Sequence, residues 1–254
     1  MGNLTYRDKS IRNQSIIKAK NIYSERIANH HKQQKLLSKF SDLLSYVIYP
    51  DKRHCFERGK FDSFTRQREV SLTGDGNSGG FYSNKLERLI QYESNLEMTF
   101  LLYLENLDDV IFYQEQPLRI FYKSEDRSGF YYPDFLFIMK NGNGVVTEIK
   151  PIFQMALQKN LDKWSALKAY CSQQRLGLLV TDGRYSIQQI MQHRTKPDFS
   201  DYVLNKLRQG NMNWTEYKKI KKQFNPSRDD FVSLVLTNRL KWKLSPFLLC
   251  FRSE

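Results

Sequence analysis

The chain has 254 residues, 40% of them hydrophobic and 14% aromatic, which supports one large domain or two smaller ones and excludes wholesale disorder. Its net charge of +13 sits at the two ends: residues 1–40 carry nine Lys and Arg against two acids, residues 196–254 carry twelve against six, and the stretch between is neutral. No apolar run reaches membrane-spanning length and no signal-peptide core is present. Cys55, Cys171 and Cys250 are scattered without a Cys-x-x-Cys, so a cytoplasmic, reduced protein lacking a zinc site or disulfide scaffold is expected. The four histidines form no cluster either, and any metal would be an oxygen-ligated hard cation. Basic flanks suit a phosphate backbone, although an anionic protein partner or two solvated faces give the same balance.

Along the chain, apolar residues recur at helical intervals from Ile11 to Leu44 among basic ones, and the pattern breaks at Pro50. Residues 72–80, rich in Gly, Asn and Ser, read as a loop. A short strand is expected within 85–92 and a helix over 95–105, with Leu96, Phe100, Leu101 and Leu104 on one side. Strands follow at 110–114, 118–122, 130–139 and 145–149, the last two joined as a hairpin by Asn141-Gly-Asn-Gly144. A helix over 155–174 and a buried strand at 176–181 complete an α/β core. Beyond a linker near Thr195–Pro197, helices are expected at 201–209, 214–223 and 228–238, then a hairpin of 240–244 with 247–251; three helices and a hairpin suggest a winged-helix-like domain. The expected division is a basic helical region and loop at 1–80, the α/β core at 81–195, and a C-terminal domain at 196–254.

Asp134 interrupts an apolar stretch, on the same strand face as Leu136 and Ile138, which is costly unless a cation or hydrogen bonds compensate it. Taken alone, it reads equally as a turn aspartate after Pro133. Glu148 and Lys150 lie two apart and so share one face of the next strand, just before Pro151. They could be a plain surface ion pair. Set against Asp134 across a hairpin, they read instead as the acidic and cationic parts of a metal-dependent phosphodiester-cleaving site. A third carboxylate is expected from the upstream helix. Glu97 is the candidate, although Ser94-Asn-Leu-Glu97 also fits a capping box; Glu93 and Glu105 are its rivals.

Four blocks in order, Tyr92-Glu-Ser-Asn-Leu-Glu97, Phe112-Tyr-Gln-Glu-Gln-Pro117, Tyr132-Pro-Asp-Phe-Leu136 and Thr147-Glu-Ile-Lys-Pro151, resemble the TnsA endonuclease of heteromeric cut-and-paste transposases. The resemblance covers about residues 85–182, and the tail at 199–251 is similar to the helical domain that follows in that family. It implies a restriction-endonuclease-like, PD-(D/E)xK fold with a central mixed sheet flanked by helices. It further implies Glu97, Asp134 and Glu148 as metal ligands, joined by the main-chain carbonyl of Ile149, with Lys150 steadying the water or phosphate. Glu148 stands where the family's founding pattern has glutamine, which brings this chain closer to the ordinary nuclease signature. Gln114 and Gln116 either line the cleft or bond within their own strand.

Two magnesium ions, for which manganese substitutes, would neutralise the charge that develops on the entering and leaving oxygens. The implied activity is cleavage of the 5′ ends of a mobile element during transposition in a prokaryotic cytoplasm. The implied partners are double-stranded DNA at transposon ends, a DDE-type, TnsB-like transposase and an AAA+, TnsC-like regulator, with no membrane. Two alternatives fit the same residues: a stand-alone restriction or repair nuclease, and a non-catalytic DNA-binding assembly subunit.

Overall fold

The computed structural model describes residues 38, 40–56, 64–68, 78–125 and 127–252. Most of the basic helical region expected at 1–80, including Ile11 to Leu37 and residues 72–77 of the loop, lies outside the described residues. Among the described residues no helix is long and apolar enough to cross a membrane.

Strands β1 (Gly79–Ser83) and β2 (Arg88–Tyr92) form an antiparallel hairpin in which Phe81 faces Ile90. The expected loop therefore ends before Gly79, which the sheet recruits because it is small. A Cβ there would stand 2.5 Å from the Tyr92 hydroxyl. Helix α1 (Asn95–Asn106) starts at Ser94, whose side chain accepts the Glu97 N–H. At its other end the Lys85 ammonium donates to the carbonyls of Leu104, Leu107 and Val110 at 2.7–2.8 Å, a favourable place for a cation.

The central sheet contains β3 (Val110–Glu115), β6 (Phe135–Met139), β7 (Gly144–Ile149) and β8 (Gly177–Thr181), in the order β3-β6-β7-β8. The first two pairings are antiparallel and β7–β8 is parallel, so the sheet is mixed. Ile48 bridges the outer edge of β8, exchanging two hydrogen bonds of 2.9 Å with Leu178. The strand expected over 130–139 is two strands. β5 (Ser128–Tyr131) pairs with β4 (Ile120–Lys123) in a separate hairpin, and β6 begins only after Tyr132-Pro133-Asp134. Pro133 has no N–H to continue a ladder, so the chain changes sheet there. Asp134 consequently stands just ahead of the strand.

The crossover from β7 to β8 carries α2 (Ile152–Met155) and α3 (Gln158–Gln174), where one helix over 155–174 was expected. Leu157 is extended between them (φ −66°, ψ 128°), and the Asn160 side chain donates to the Gln154 carbonyl at 2.8 Å, closing the break. After β8 come α4 (Ile187–Gln192), which no sequence expectation covered, then α5 (Pro197–Gln209), α6 (Trp214–Phe224), α7 (Arg228–Thr237), and the hairpin of β9 (Leu240–Leu244) with β10 (Phe247–Phe251).

Alternation in the strands divides the core into two layers. Phe135, Phe137, Val145, Ile149 and Leu179 meet α1, the β1–β2 hairpin, Phe40 and Leu43. Phe40 stacks on Tyr103 at 5.0 Å and meets Phe100 edge-on at 5.2 Å; such ring pairs contribute about 0.5–1.5 kcal/mol each beyond their burial. Leu136, Ile138, Val146, Leu178 and Val180 meet α3, and this layer runs without a gap into Phe199, Val203, Phe231, Val235 and Trp242 of the C-terminal helices and hairpin. Asp230 fastens that junction. It accepts from the Ser227 N–H and hydroxyl at 2.8 Å while its other oxygen lies 3.1 Å from His193 Nε2. Burial alone would raise its carboxyl, but these bonds hold it below the ordinary value.

Candidate active site

The register that pairs Phe135 with Thr147 sets Asp134 opposite Glu148 at the end of the β6–β7 hairpin. Both are buried, with 9% and 4% of their surface exposed. Asp134 Oδ2 accepts the Ile149 N–H at 2.6 Å and Lys150 Nζ at 3.2 Å, so the carboxylate continues the ladder where the backbone of β6 leaves off. Lys150 Nζ also stands 3.1 Å from Glu148 Oε1 and donates to the Ile149 carbonyl at 3.0 Å. One ammonium thus serves two carboxylates and a carbonyl.

Glu148 Oε2 is buried without a hydrogen-bond partner, as are the nearby Trp164 Nε1 and Tyr131 hydroxyl. Burial, then the charge of Asp134, pushes Glu148 up to about 7, against the pull of Lys150 and the indole N–H of Trp164, which faces the carboxylate without reaching hydrogen-bond geometry. Burial and then Glu148 likewise push the Tyr131 phenol up. For Lys150 burial works against the charge, but Asp134 and Glu148 outweigh it and raise the ammonium above the ordinary lysine range.

Glu97 approaches from the N-terminus of α1. Its carboxylate accepts the Glu93 N–H at 2.7 Å and the Ser94 hydroxyl at 3.0 Å, so Ser94 caps the helix as expected but the return bond of a capping box goes to Glu93 instead of Ser94. It is also part of the acidic cluster: burial first, and the charge of Asp134 second, push it up to about 8. Three carboxylates therefore gather around one lysine, with two of them strained toward the protonated form. Among the described residues, no three His, Cys, Asp or Glu side chains converge closely enough to hold a metal ion as they stand. Glu97 is tied to its cap, and Asp134 and Glu148 to Lys150.

The rivals are employed elsewhere. Glu93 takes Arg68 Nη2 on both oxygens at 2.6 Å, and Glu105 is fully engaged in the β1–β2 turn. Gln114 bonds Arg88 and Glu115 inside the protein, whereas the Gln116 side-chain oxygen Oε1 accepts Arg68 Nε at 3.1 Å. Sequence reasoning missed four residues around this cluster. Arg68 links Glu93 and Gln116 and lies over the Tyr132 ring at 5.5 Å. Tyr131 and Trp164 face Glu148. Lys163, half-buried and 5.7 Å from both the Tyr122 and Tyr131 rings, is lowered by its burial and raised by Glu148. No motif spacing announces Lys163 or Trp164, because only the β7–α3–β8 crossover brings them over this face.

Comparison of the whole chain with curated proteins gives no match. Residues 107–182, which run from just before β3 to just after β8, match the model of the family described as TnsA-like endonuclease N terminal. That span contains Asp134, Glu148 and Lys150 but begins beyond Glu97. The sheet of four mixed strands, with its acidic hairpin end, is thus the part of this chain that matches the TnsA-like endonuclease model.

Proposed function

We propose that this chain is a metal-dependent DNA endonuclease subunit of a heteromeric transposase, cutting the 5′ ends of a mobile element on a restriction-endonuclease-like, PD-(D/E)xK core. The observation that carries this reading is the under-compensated acidic cluster at the sheet end, above all the buried, unpartnered Glu148 Oε2. Leaving a buried acceptor without a partner costs about 1–3 kcal/mol, and more when the group is charged, and a hard divalent cation would remove that cost. The donor types suit such a cation, with carboxylate oxygens from Asp134, Glu148 and Glu97 and a carbonyl from Ile149, and holding it requires Glu97 to turn from its cap and Lys150 to yield its two carboxylates. Magnesium, as two ions and replaceable by manganese, would supply the charge that neutralises the attacked phosphate and activates water.

The chain's own residues do the rest. Asp134, fixed by the Ile149 N–H, holds the two strand ends together. Lys150, kept charged by its two carboxylates, offers a compact positive charge to the phosphate or the attacking water. Glu97 keeps helix α1 capped and releases oxygen lone pairs as it ionises. Helices α5 to α7 with the β9–β10 hairpin serve as a winged-helix-like assembly and DNA-binding part, supported by the exposed Lys218, Lys219, Lys221 and Lys222 along α6. A DDE-type transposase and an AAA+ regulator complete the machine. Asp134→Asn should abolish magnesium-dependent cutting of transposon-end DNA, read on a sequencing gel with the partner subunits present, while the protein stays folded. Persistent cutting would remove Asp134 from the site and the reading with it.

A further inference from the structure

We propose, on top of the nuclease reading, that the outward face of the β4–β5 hairpin docks DNA beside the scissile position. An unstacked base would lie against Phe121 and Phe130, and the adjoining phosphates against Arg119 and Lys123. The hairpin has two unlike faces. Ile120, Tyr122 and Tyr131 are buried toward α3, whereas Phe121, Lys123, Ser128 and Phe130 are exposed. Phe121 and Phe130 are direct cross-strand partners, with ring centroids 5.4 Å apart at 64°. They are 56% and 51% exposed, and the Arg119 guanidinium lies 3.8 Å from the Phe130 centroid. Two large adjacent rings left in water are a liability unless something covers them.

Charge and position indicate what that something is. The described residues of this face include Arg119 and Lys123 and no acid. Glu125, at the tip, is ion-paired with Lys241 of β9. Beside the tip a cleft of about 350 Å³ brings together Arg127, Lys159 and Lys243, with Asp162 its one carboxylate. A guanidinium over an aromatic pair is a sequence-tolerant seat for a nucleobase, since every base has a π-face. The hairpin also runs straight into the acidic cluster: Tyr131 ends β5 and faces Glu148, and Asp134 follows three residues on. The hairpin is thus tied through the chain to the acidic cluster, with Phe121 and Phe130 on the side opposite Tyr131. A protein partner could cover two phenylalanines equally well, but the excess of cations among the described residues, Arg119, Lys123, Arg127, Lys159 and Lys243 against Asp162 and the ion-paired Glu125, favours a polyanion.

The test measures binding of a fluorescein-labelled duplex ending in a single-stranded overhang, and of a blunt duplex, with calcium replacing magnesium so that nothing is cut. The double variant Phe121→Ala, Phe130→Ala should weaken overhang binding about ten-fold and blunt binding less. Phe121→Tyr with Phe130→Tyr should restore it, and Arg119→Ala should flatten the salt dependence by about one ion. A 2-aminopurine in the overhang should be quenched by the wild-type protein and not by the alanine variant. Because both rings are about half exposed, thermal melts of the tyrosine and Arg119 variants should lie near the wild type and the alanine variant should fall by only a few degrees, the loss of one cross-strand pair. Equal binding and equal quenching by the alanine variant would overturn the proposal. So would unchanged DNA binding with lost association to the transposase subunit, which would assign the face to a protein. Asp134→Asn keeps the two readings apart. If it still cuts DNA, the nuclease site is misassigned while the quenching continues to decide the hairpin.

Discussion

Helix α1 carries a buried carboxylate at each end, and the two have opposite surroundings. Glu105 accepts from the Ser83 hydroxyl at 2.8 Å, the Asn84 and Lys85 N–H groups at 2.8 and 3.0 Å, and the Tyr113 hydroxyl at 2.5 Å. Glu97 is equally buried, 7% exposed against 8%, yet has two short local bonds and faces Asp134 across the sheet end. Burial alone therefore does not mark a functional acid. The difference lies in whether the protein supplies the donors. Around Glu105 it does, and the carboxylate locks a turn to a helix. Around Glu97, Asp134 and Glu148 it supplies two backbone N–H groups, one hydroxyl and one lysine shared by Asp134 and Glu148, and leaves Glu148 Oε2 with no partner, a demand that something from outside must meet.

The largest effect that tests this contrast is catalytic. Glu148→Gln or Glu97→Gln should lower cleavage by on the order of a thousand-fold, measured with partner subunits on transposon-end DNA, without lowering the melting temperature. A matching fall in stability would make these acids structural and dissolve the comparison. Glu105→Ala should do the reverse. Removing an acceptor from four donors should cost about 3 kcal/mol or more in urea unfolding, with cleavage per folded molecule retained. Smaller again is Trp164→Phe, which removes the indole N–H that faces Glu148. It should weaken manganese binding about ten-fold in a calorimetric titration while costing less stability than Glu105→Ala.

The smallest effect is on pH dependence. Folded Glu97 and Glu148 are pushed up to about 8 and about 7 from an ordinary 4.5, so between those limits the folded state holds more protons than the unfolded state. Their contribution to stability is complete below about pH 4.5 and is lost as pH rises through about 7 to 8. The melting temperature of metal-free protein should fall by a few degrees, roughly 2–4 °C per kcal/mol, across this window. Magnesium should restore more of it at the alkaline end, because binding releases the retained protons. A flat profile, or equal rescue at both ends, would mean that the acids are already compensated.

Much of this was legible in the sequence, and the reasons are local. Asn141-Gly-Asn-Gly144 announces the β6–β7 turn, and the period of two places Glu148 and Lys150 together. Ser245-Pro246 separates β9 from β10 at the expected residues. What stayed hidden depends on packing that no short window contains. Pro133 divides one apolar run between two sheets. Leu157 breaks a helix whose flanks both have helical composition. Trp164 and Lys163 reach Glu148 only through a parallel crossover, and Arg68 comes to Glu93 from 25 residues away. The acids were readable as types at a spacing; their lack of compensation was readable only once their neighbours had been placed.

The bridge between Ile48 and Leu178 has a consequence for assembly. β8 is the terminal parallel strand of its sheet, and a bare terminal strand is a template on which a second copy or a foreign segment can polymerise by backbone pairing. Here the amide and carbonyl of Leu178, near the start of that edge, are already taken by Ile48. No partner can lengthen the sheet from this side without first peeling residues 47–49 away. At this edge any contact with another molecule is thereby left mainly to side chains, which can be tuned one substitution at a time.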